Sequence, residues 1–248
     1  MAAAYALGVD NIIVEIDGGE VPILDGSAAP FIAAIRAAGL QEQAAEAVIF
    51  RVEQPITVRH EGSEITILPA DRLEVTTLID FNSKILGQQY AHLADLQEFA
   101  EQIAPARTFV FLHEIQPLLN AGLIKGGDVD NAVVFVEQIP SADELRQLAA
   151  QLQKTYVHVE REGILNLTAL HFSNEPARHK LLDLVGDMAL AGLRIQGRII
   201  AHRPGHTINA LFAKALKQAY KDHCKAQEIP KYDPLKKPVY DINDITAR

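Results

Sequence analysis

The tightest constraint on this chain is the order of its apolar runs. Residues 47–52, 56–68 and 73–79 are three strand-like runs in succession, with only turns between them. The second run is interrupted at Glu61-Gly62-Ser63, a hairpin-like turn, and the third contains Thr76-Thr77-Leu78-Ile79, β-branched strand material. Further strand-like runs follow at 108–112, 132–136, 164–172 and 195–202, now separated by single helix-like stretches. Strands in series, then strands interleaved with single helices, argue an α+β fold in which helices are layered on largely antiparallel sheets.

The helices are marked by their ends. Ser27 can cap a helix over 28–38 that stops at Gly39. Residues 92–103 and 114–121 read as two more. Ser141 begins another that runs through residue 153, with Glu144 in capping-box position. The longest spans 176–191, with a proline in its first turn and Gly192 as its stop. His206 opens the last, to about residue 225, after the turn Arg203-Pro204-Gly205. At the front of the chain, residues 11–17 (NIIVEID) and 21–24 read as strands. The acidic stretch between Glu15 and Ser27 does not have EF-hand spacing and reads as a hairpin and helix start. These boundaries divide the chain into a small piece at 1–45, a larger α+β unit at 46–228 and a proline-containing, charged linker or extended tail at 229–248. A strand–helix–strand insert occupies about 107–136 of the larger unit.

Composition narrows the function classes. A chain of 248 residues that is 48% hydrophobic can bury one large core or two modest ones. Its formal charge of -9 is wrong for non-specific nucleic-acid binding, which needs Lys and Arg to neutralise phosphates. No run approaches the ~18–20 apolar residues that span a bilayer. The apolar start, residues 1–7, lacks a basic flank and is not read as a signal peptide. Cys224 is the only cysteine, so no intrachain disulfide can form, and a reducing cytoplasm is the simplest compartment.

Several groupings carry chemistry. His179 and Asp183 are one turn apart on the longest helix and share a face. An imidazole nitrogen and a carboxylate at that spacing can both reach one Zn²⁺, although an ordinary His–Asp pair on a solvated helix has the same spelling. Asp187 is a further turn along. His206 stands in the first turn of its helix, where the dipole lowers an imidazole pKa while a carboxylate such as Asp187 would raise it. Poised so, it suits general acid or electrostatic work; a capping or surface histidine is the alternative. Thr108, at a strand start, could donate to a developing oxyanion, or simply be a good strand residue. Phe109, Phe111, Ile115 and the Leu123–Gly127 stretch could line an apolar slot or form plain core.

Together these segments resemble the bacterial UDP-3-O-acyl-N-acetylglucosamine deacetylases, zinc amidases of lipid A biosynthesis. The resemblance runs in order through 8–31 (GVDNIIVEIDGGEVPILDGSAAPF), 76–82 (TTLIDFN), 106–111 (ARTFVF), 122–135 (GLIKGGDVDNAVVF), 178–192 (RHKLLDLVGDMALAG) and 203–216 (RPGHTINALFAKAL). It implies two similar α+β domains, each a sheet layered with helices, with the first domain incomplete in this chain. It implies that His179 and Asp183 are two of three protein ligands to Zn²⁺, and that His206, partnered by Asp187, is a charged histidine assisting as general acid or oxyanion stabiliser. Thr108 would hold the acetyl carbonyl oxygen, and Lys180 would lie along the groove for the nucleotide-sugar. Phe109 and Phe111 would flank the sugar and acyl site. The segment containing Ile115 and Gly127 would form the passage for the 3-O-acyl chain.

The sequence departs from the family pattern in one respect. The family's third zinc ligand is a histidine in a Glu-His pair whose Glu is the general base, and that pair falls before residue 1 here. The other histidines match no such motif. The chain therefore reads as an N-terminally truncated form with little turnover of its own, or as an inactive remnant that binds a nucleotide-sugar or a protein partner. Residues 232–245 (YDPLKKPVYDINDI) are similar to the junction of fused forms in which a 3-hydroxyacyl-carrier-protein dehydratase domain follows.

Overall fold

A computed structural model describes residues 1–19, 21–120, 131–151, 157, 159, 162–165 and 168–227. The fold is α+β, and its frame is a six-stranded sheet. The hairpin appears as expected: β2 (Ile56–His60) and β3 (Ser63–Leu68) pair antiparallel. Glu61 and Gly62 both take positive φ at the turn between them, the geometry that tight hairpins need. β4 (Leu73–Asp80) and β5 (Gln88–Leu93) form a second antiparallel pair. The strand that joins the two hairpins comes from far along the chain. β9 (Arg194–His202) lies between β3, antiparallel, and β4, parallel, while β1 (Ile49–Arg51) runs parallel to its first three residues. The sheet is therefore mixed rather than largely antiparallel, because β9 returns to it through a helix rather than a turn.

Alternation decides which face is covered. Leu73, Val75, Thr77 and Ile79 of β4 and Ile195, Gly197, Ile199 and Ala201 of β9 point to one side and are buried. Helices α6 (Glu175–Met188) and α7 (His206–Ala226) cover that side. Leu181, Leu184, Val185 and Met188 of α6 and Phe212 and Leu216 of α7 meet the sheet in one cluster. Gly197 is required there, since an added Cβ would lie 2.8 Å from Ile67 Cδ1. The front of the chain docks on the far side of α6. The five-residue helix α1 (Ala2–Ala6) lies so close to Gly186 that a Cβ on that glycine would meet Ala2 N at 3.3 Å. The buried Tyr5 hydroxyl accepts the Ile195 N–H at 3.0 Å. α2 (Ala29–Ala38) follows, ended by Gly39 at φ 79° as expected.

A second, three-stranded sheet carries the expected strand–helix–strand. β6 (Phe109–Phe111) leads into α4 (Leu112–Asn120), and β7 (Val133–Val136) returns parallel to β6. β8 (Gly163–Ile164) pairs antiparallel with β7. α5 (Ala142–Gln151) begins with the capping box expected at Ser141, whose N–H and hydroxyl both donate to Glu144. Val134, Val136, Leu148 and Ala149 form a separate small core here. No helix among the described residues is long and apolar enough to cross a membrane. The junction motif at 232–245 and the whole 229–248 tail lie outside the described residues, as does Gly127.

Four expectations fail, each for a local reason. Residues 11–17 and 21–24 form no strand, because no strand of the described chain lies beside them to take their backbone hydrogen bonds. Residues 92–103 are not one helix. His92 and Leu93 belong to the ladder with β4, and Asp95 then caps a short 3₁₀ turn (Leu96–Glu98) before α3 (Phe99–Gln102). Among the described residues of the expected strand at 164–172, only the first is in a strand. Thr168 N–H folds back on Leu165 O and His171 N–H is taken by the Glu175 carboxylate.

Candidate metal and proton-transfer site

The site is built on the face of α6 that looks toward residues 106–109. His179 is buried, and its Nδ1–H donates to Ala106 O at 3.0 Å. That bond commits the neutral ring to one tautomer and leaves the Nε2 lone pair free. Nε2 lies 3.5 Å from Asp183 Oδ1, and Asp183 Oδ2 accepts from Lys180 Nζ at 2.8 Å. Burial holds the His179 pKa below the ordinary imidazole range, against the raising pull of Asp183. For Asp183, burial raises the carboxyl pKa, but the pull of His179 when it is protonated, of Lys180 with its hydrogen bond, and of His206 outweighs it, and the net shift is downward. A neutral imidazole beside an ionised carboxylate is the protonation state that metal ligation needs. The two could hold a metal together; among the described residues no third His, Cys, Asp or Glu completes a cluster with them.

One turn further along α6, Asp187 Oδ2 accepts from His206 Nδ1 at 2.8 Å and from the buried Asn209 Nδ2 at 2.9 Å. The hydrogen bond that His206 donates to Asp187 is the main cause of its raised pKa, with the charges of Asp183 and Asp187 adding to it against partial burial. The carboxylate effect expected at His206 is present, and the net shift is upward. The ring is largely exposed, so it remains open to solvent or a bound molecule.

The opposite wall is the start of β6. Thr108 N–H donates to Gly26 O and Thr108 O accepts from Val133 N–H, each at 2.8 Å. Gly26, at φ 80°, approaches so closely that an added Cβ would overlap Asn131 O at 2.1 Å. The Asp25-Gly26-Ser27 turn is thus a support for Thr108, with Asp25 accepting from both Ser27 N–H and Ser27 Oγ. Lys180 Nζ stands 5.5 Å above the Phe109 ring, within reach of a cation–π contact. Phe81 packs edge-on to both Phe109 and Phe111, at centroid distances of 5.4 and 5.9 Å.

Three-dimensional structure thus brings together His179, Lys180, Asp183, Asp187 and His206, and sets Phe109 beside Lys180, with Thr108 the preceding residue of the chain. Ile115 is buried with Leu112, Val134 and Val136 in the smaller core. Sequence reasoning missed Asn209, Phe81 and Gly26. Asn209 has a readable signal, being one turn after His206 on the same helix. It also missed a buried ion pair at the base of the site: Arg107 Nε donates to Glu175 Oε1 at 2.8 Å, and Glu175 is fully buried.

Residues 1–152 and 147–218 match the family described as LpxC: UDP-3-O-acyl N-acetylglycosamine deacetylase. The chain belongs to this family. Family members named "Bifunctional enzyme LpxC/FabZ" from Bacteroides thetaiotaomicron and Porphyromonas gingivalis are 43% and 45% identical to it, over 99% of this chain and 53% of each relative. A member from Nitratidesulfovibrio vulgaris named "UDP-3-O-acyl-N-acetylglucosamine deacetylase" is 36% identical over 93% of this chain and 67% of that protein. The chain spans about half the length of the bifunctional relatives it matches.

Proposed function

We propose that this chain contributes His179, Asp183, His206 and Asp187 to a zinc-dependent hydrolase site that removes the N-acetyl group of UDP-3-O-acyl-N-acetylglucosamine, a step of lipid A biosynthesis. The observation that carries the reading is the juxtaposition of two pairs along α6, the second completed by His206 of α7. One is a neutral His179 beside an ionised Asp183, and the other is a His206 whose proton is held by Asp187. The donor set fits zinc. A nitrogen and an oxygen bound tetrahedrally at ~2.0–2.2 Å would lie roughly 3.4 Å apart, against 3.5 Å between His179 Nε2 and Asp183 Oδ1. When bound, zinc supplies Lewis acidity toward the acetyl carbonyl and activates water.

The following roles fall to the described residues of the chain. Ala106 O orients His179, and Lys180 donates to Asp183 while its ammonium stands over the Phe109 ring. His206, its pKa raised by the hydrogen bond to Asp187, donates when protonated toward the oxygen that gains negative charge or toward the departing glucosamine amine. Thr108 adds a hydroxyl donor to the same oxygen. Phe109 and Phe111 flank the sugar and the root of the acyl chain, with Ile115 and Gly127 further along the acyl passage.

Catalytic zinc sites use three protein ligands, so the reading requires one more, and a general base, from outside the described residues. The isolated chain is accordingly expected to turn over little. A fused dehydratase belongs to the same reading, supported by the higher identity to the bifunctional relatives. The test is acetate release by the native gene product, with zinc content measured alongside. His206→Ala should lower kcat by about 10²–10⁴-fold, and an unchanged kcat overturns the role given to His206. Zinc retained in full by His179→Ala and Asp183→Ala would remove the metal assignment and favour an inactive nucleotide-sugar-binding domain.

A further inference from the structure

Glu175 is a charged residue with no exposure to solvent, in the first turn of α6, and nothing in the scheme above uses it. Its carboxylate is nevertheless saturated with donors. Oε1 accepts from the Arg107 backbone N–H at 2.9 Å and from Arg107 Nε at 2.8 Å. Oε2 accepts from Arg107 Nη2 at 3.1 Å and from His171 N–H at 2.7 Å. The same Nη2 donates to Ala169 O at 2.8 Å. Glu175 and His179 are four residues apart and therefore share a face of α6. Each reaches across to the same extended stretch, Glu175 to Arg107 and His179 to the carbonyl of Ala106.

We infer that the buried Arg107–Glu175 pair is a positioning device: a second anchor, one turn below His179, that holds residues 106–109 in register against α6. With both anchors in place, Ala106 O meets Nδ1–H and Nε2 is presented toward Asp183. The next two residues, Thr108 and Phe109, are carried to their places by the same registration. A carbonyl contact alone could follow the strand if it slid by one residue, because each residue offers a carbonyl. The forked guanidinium–carboxylate contact cannot, because its two parallel hydrogen bonds accept one geometry. Stability is a poor reason for such a pair. Apolar residues of similar volume commonly replace a buried ion pair without loss, and pairs of this kind are best explained by the single arrangement they select.

The inference rests on the metal reading for its consequence, not for its geometry, and the experiment separates the two. The double variant Arg107→Met with Glu175→Leu removes both charges together and is expected to unfold cooperatively, close to the parent. Imidazole ¹⁵N shifts of His179, taken without metal, should change from a single Nδ1–H tautomer to a mixture. Zinc titrated against a chelator should bind the variant about 10–100-fold more weakly than the parent, as for other partners that orient a ligand. A folded double variant that retains the single tautomer and the parent zinc affinity overturns the inference. Should the double variant not fold, Arg107→Lys, which retains the charge but loses the fork, takes its place in both measurements. A mixed tautomer and weaker zinc binding again support the positioning role, and parent-like values for both overturn it. A parent chain that binds no zinc removes the metal reading, while the tautomer measurement still decides the positioning role.

Discussion

Two segments of this chain have nearly the same apolar rhythm and opposite fates. Residues 11–17 and β9 (Arg194–His202) both alternate apolar and polar residues with β-branched content. β9 is hydrogen-bonded to β1, β3 and β4, and Ile199 and Ala201 are fully buried beneath the helices. Ile13, in the other segment, is 82% exposed, and its neighbours Ile12, Val14 and Ile16 are exposed with it. The difference lies in neighbours rather than in propensity. A strand's N–H and C=O groups must be matched along an edge, and its apolar face needs a layer to cover it. β9 has both, and residues 11–17 have neither among the described residues.

The largest effect should come from breaking a satisfied group in the packed region. Glu175→Ala strands the Arg107 charge and should lower the unfolding free energy by about 3–5 kcal/mol, read as a lower urea midpoint; a loss under about 1 kcal/mol would show the pair to be solvated. Ile199→Ala, in the middle of β9, should cost about 2–5 kcal/mol in the same assay. Ile13→Ala is the matched control and should stay within about 0.5 kcal/mol. Equal costs at the two isoleucines would break the comparison. Hydrogen exchange sharpens it without mutation: amides of β9 should exchange only on global opening, and those of 11–17 without protection. A smaller effect is expected at His206. Its folded pKa lies above the ordinary value of about 6.5. The stabilisation from Asp187 is therefore complete below that value and is lost as pH rises through the folded pKa. NMR titration of Asp187→Asn should show the His206 pKa moving down, and a pKa that stays put would break the pairing.

The site was legible in proportion to how local its signals are. His179, Lys180, Asp183 and Asp187 fall on one helix, so helical spacing placed them on neighbouring turns before any fold was known. His206 was legible because a Gly turn marks the start of its helix. Arg107 and Glu175 were not, since 68 residues separate them and neither belongs to a spacing pattern. The same holds for Gly26, whose carbonyl supports Thr108 from far upstream. Ile115 was legible as apolar and next to the right motif, but not the residues it packs against in the smaller core, because apolar character names no particular neighbour.

By itself the sequence determined the α+β class, the hairpin over 56–68, the long helix with its proline start and Gly192 stop, and the family to which the chain belongs. These follow from periodicity, from turn and cap chemistry, and from ordered motifs, all of which act over a few residues. Only the tertiary structure decided that β9 would lie between β3 and β4, that residues 11–17 would stand unpaired, and that an ion pair would tie residues 106–109 to α6. Those outcomes depend on which backbone edge and which buried charge find a partner, and partners far apart in sequence meet only when the chain has folded.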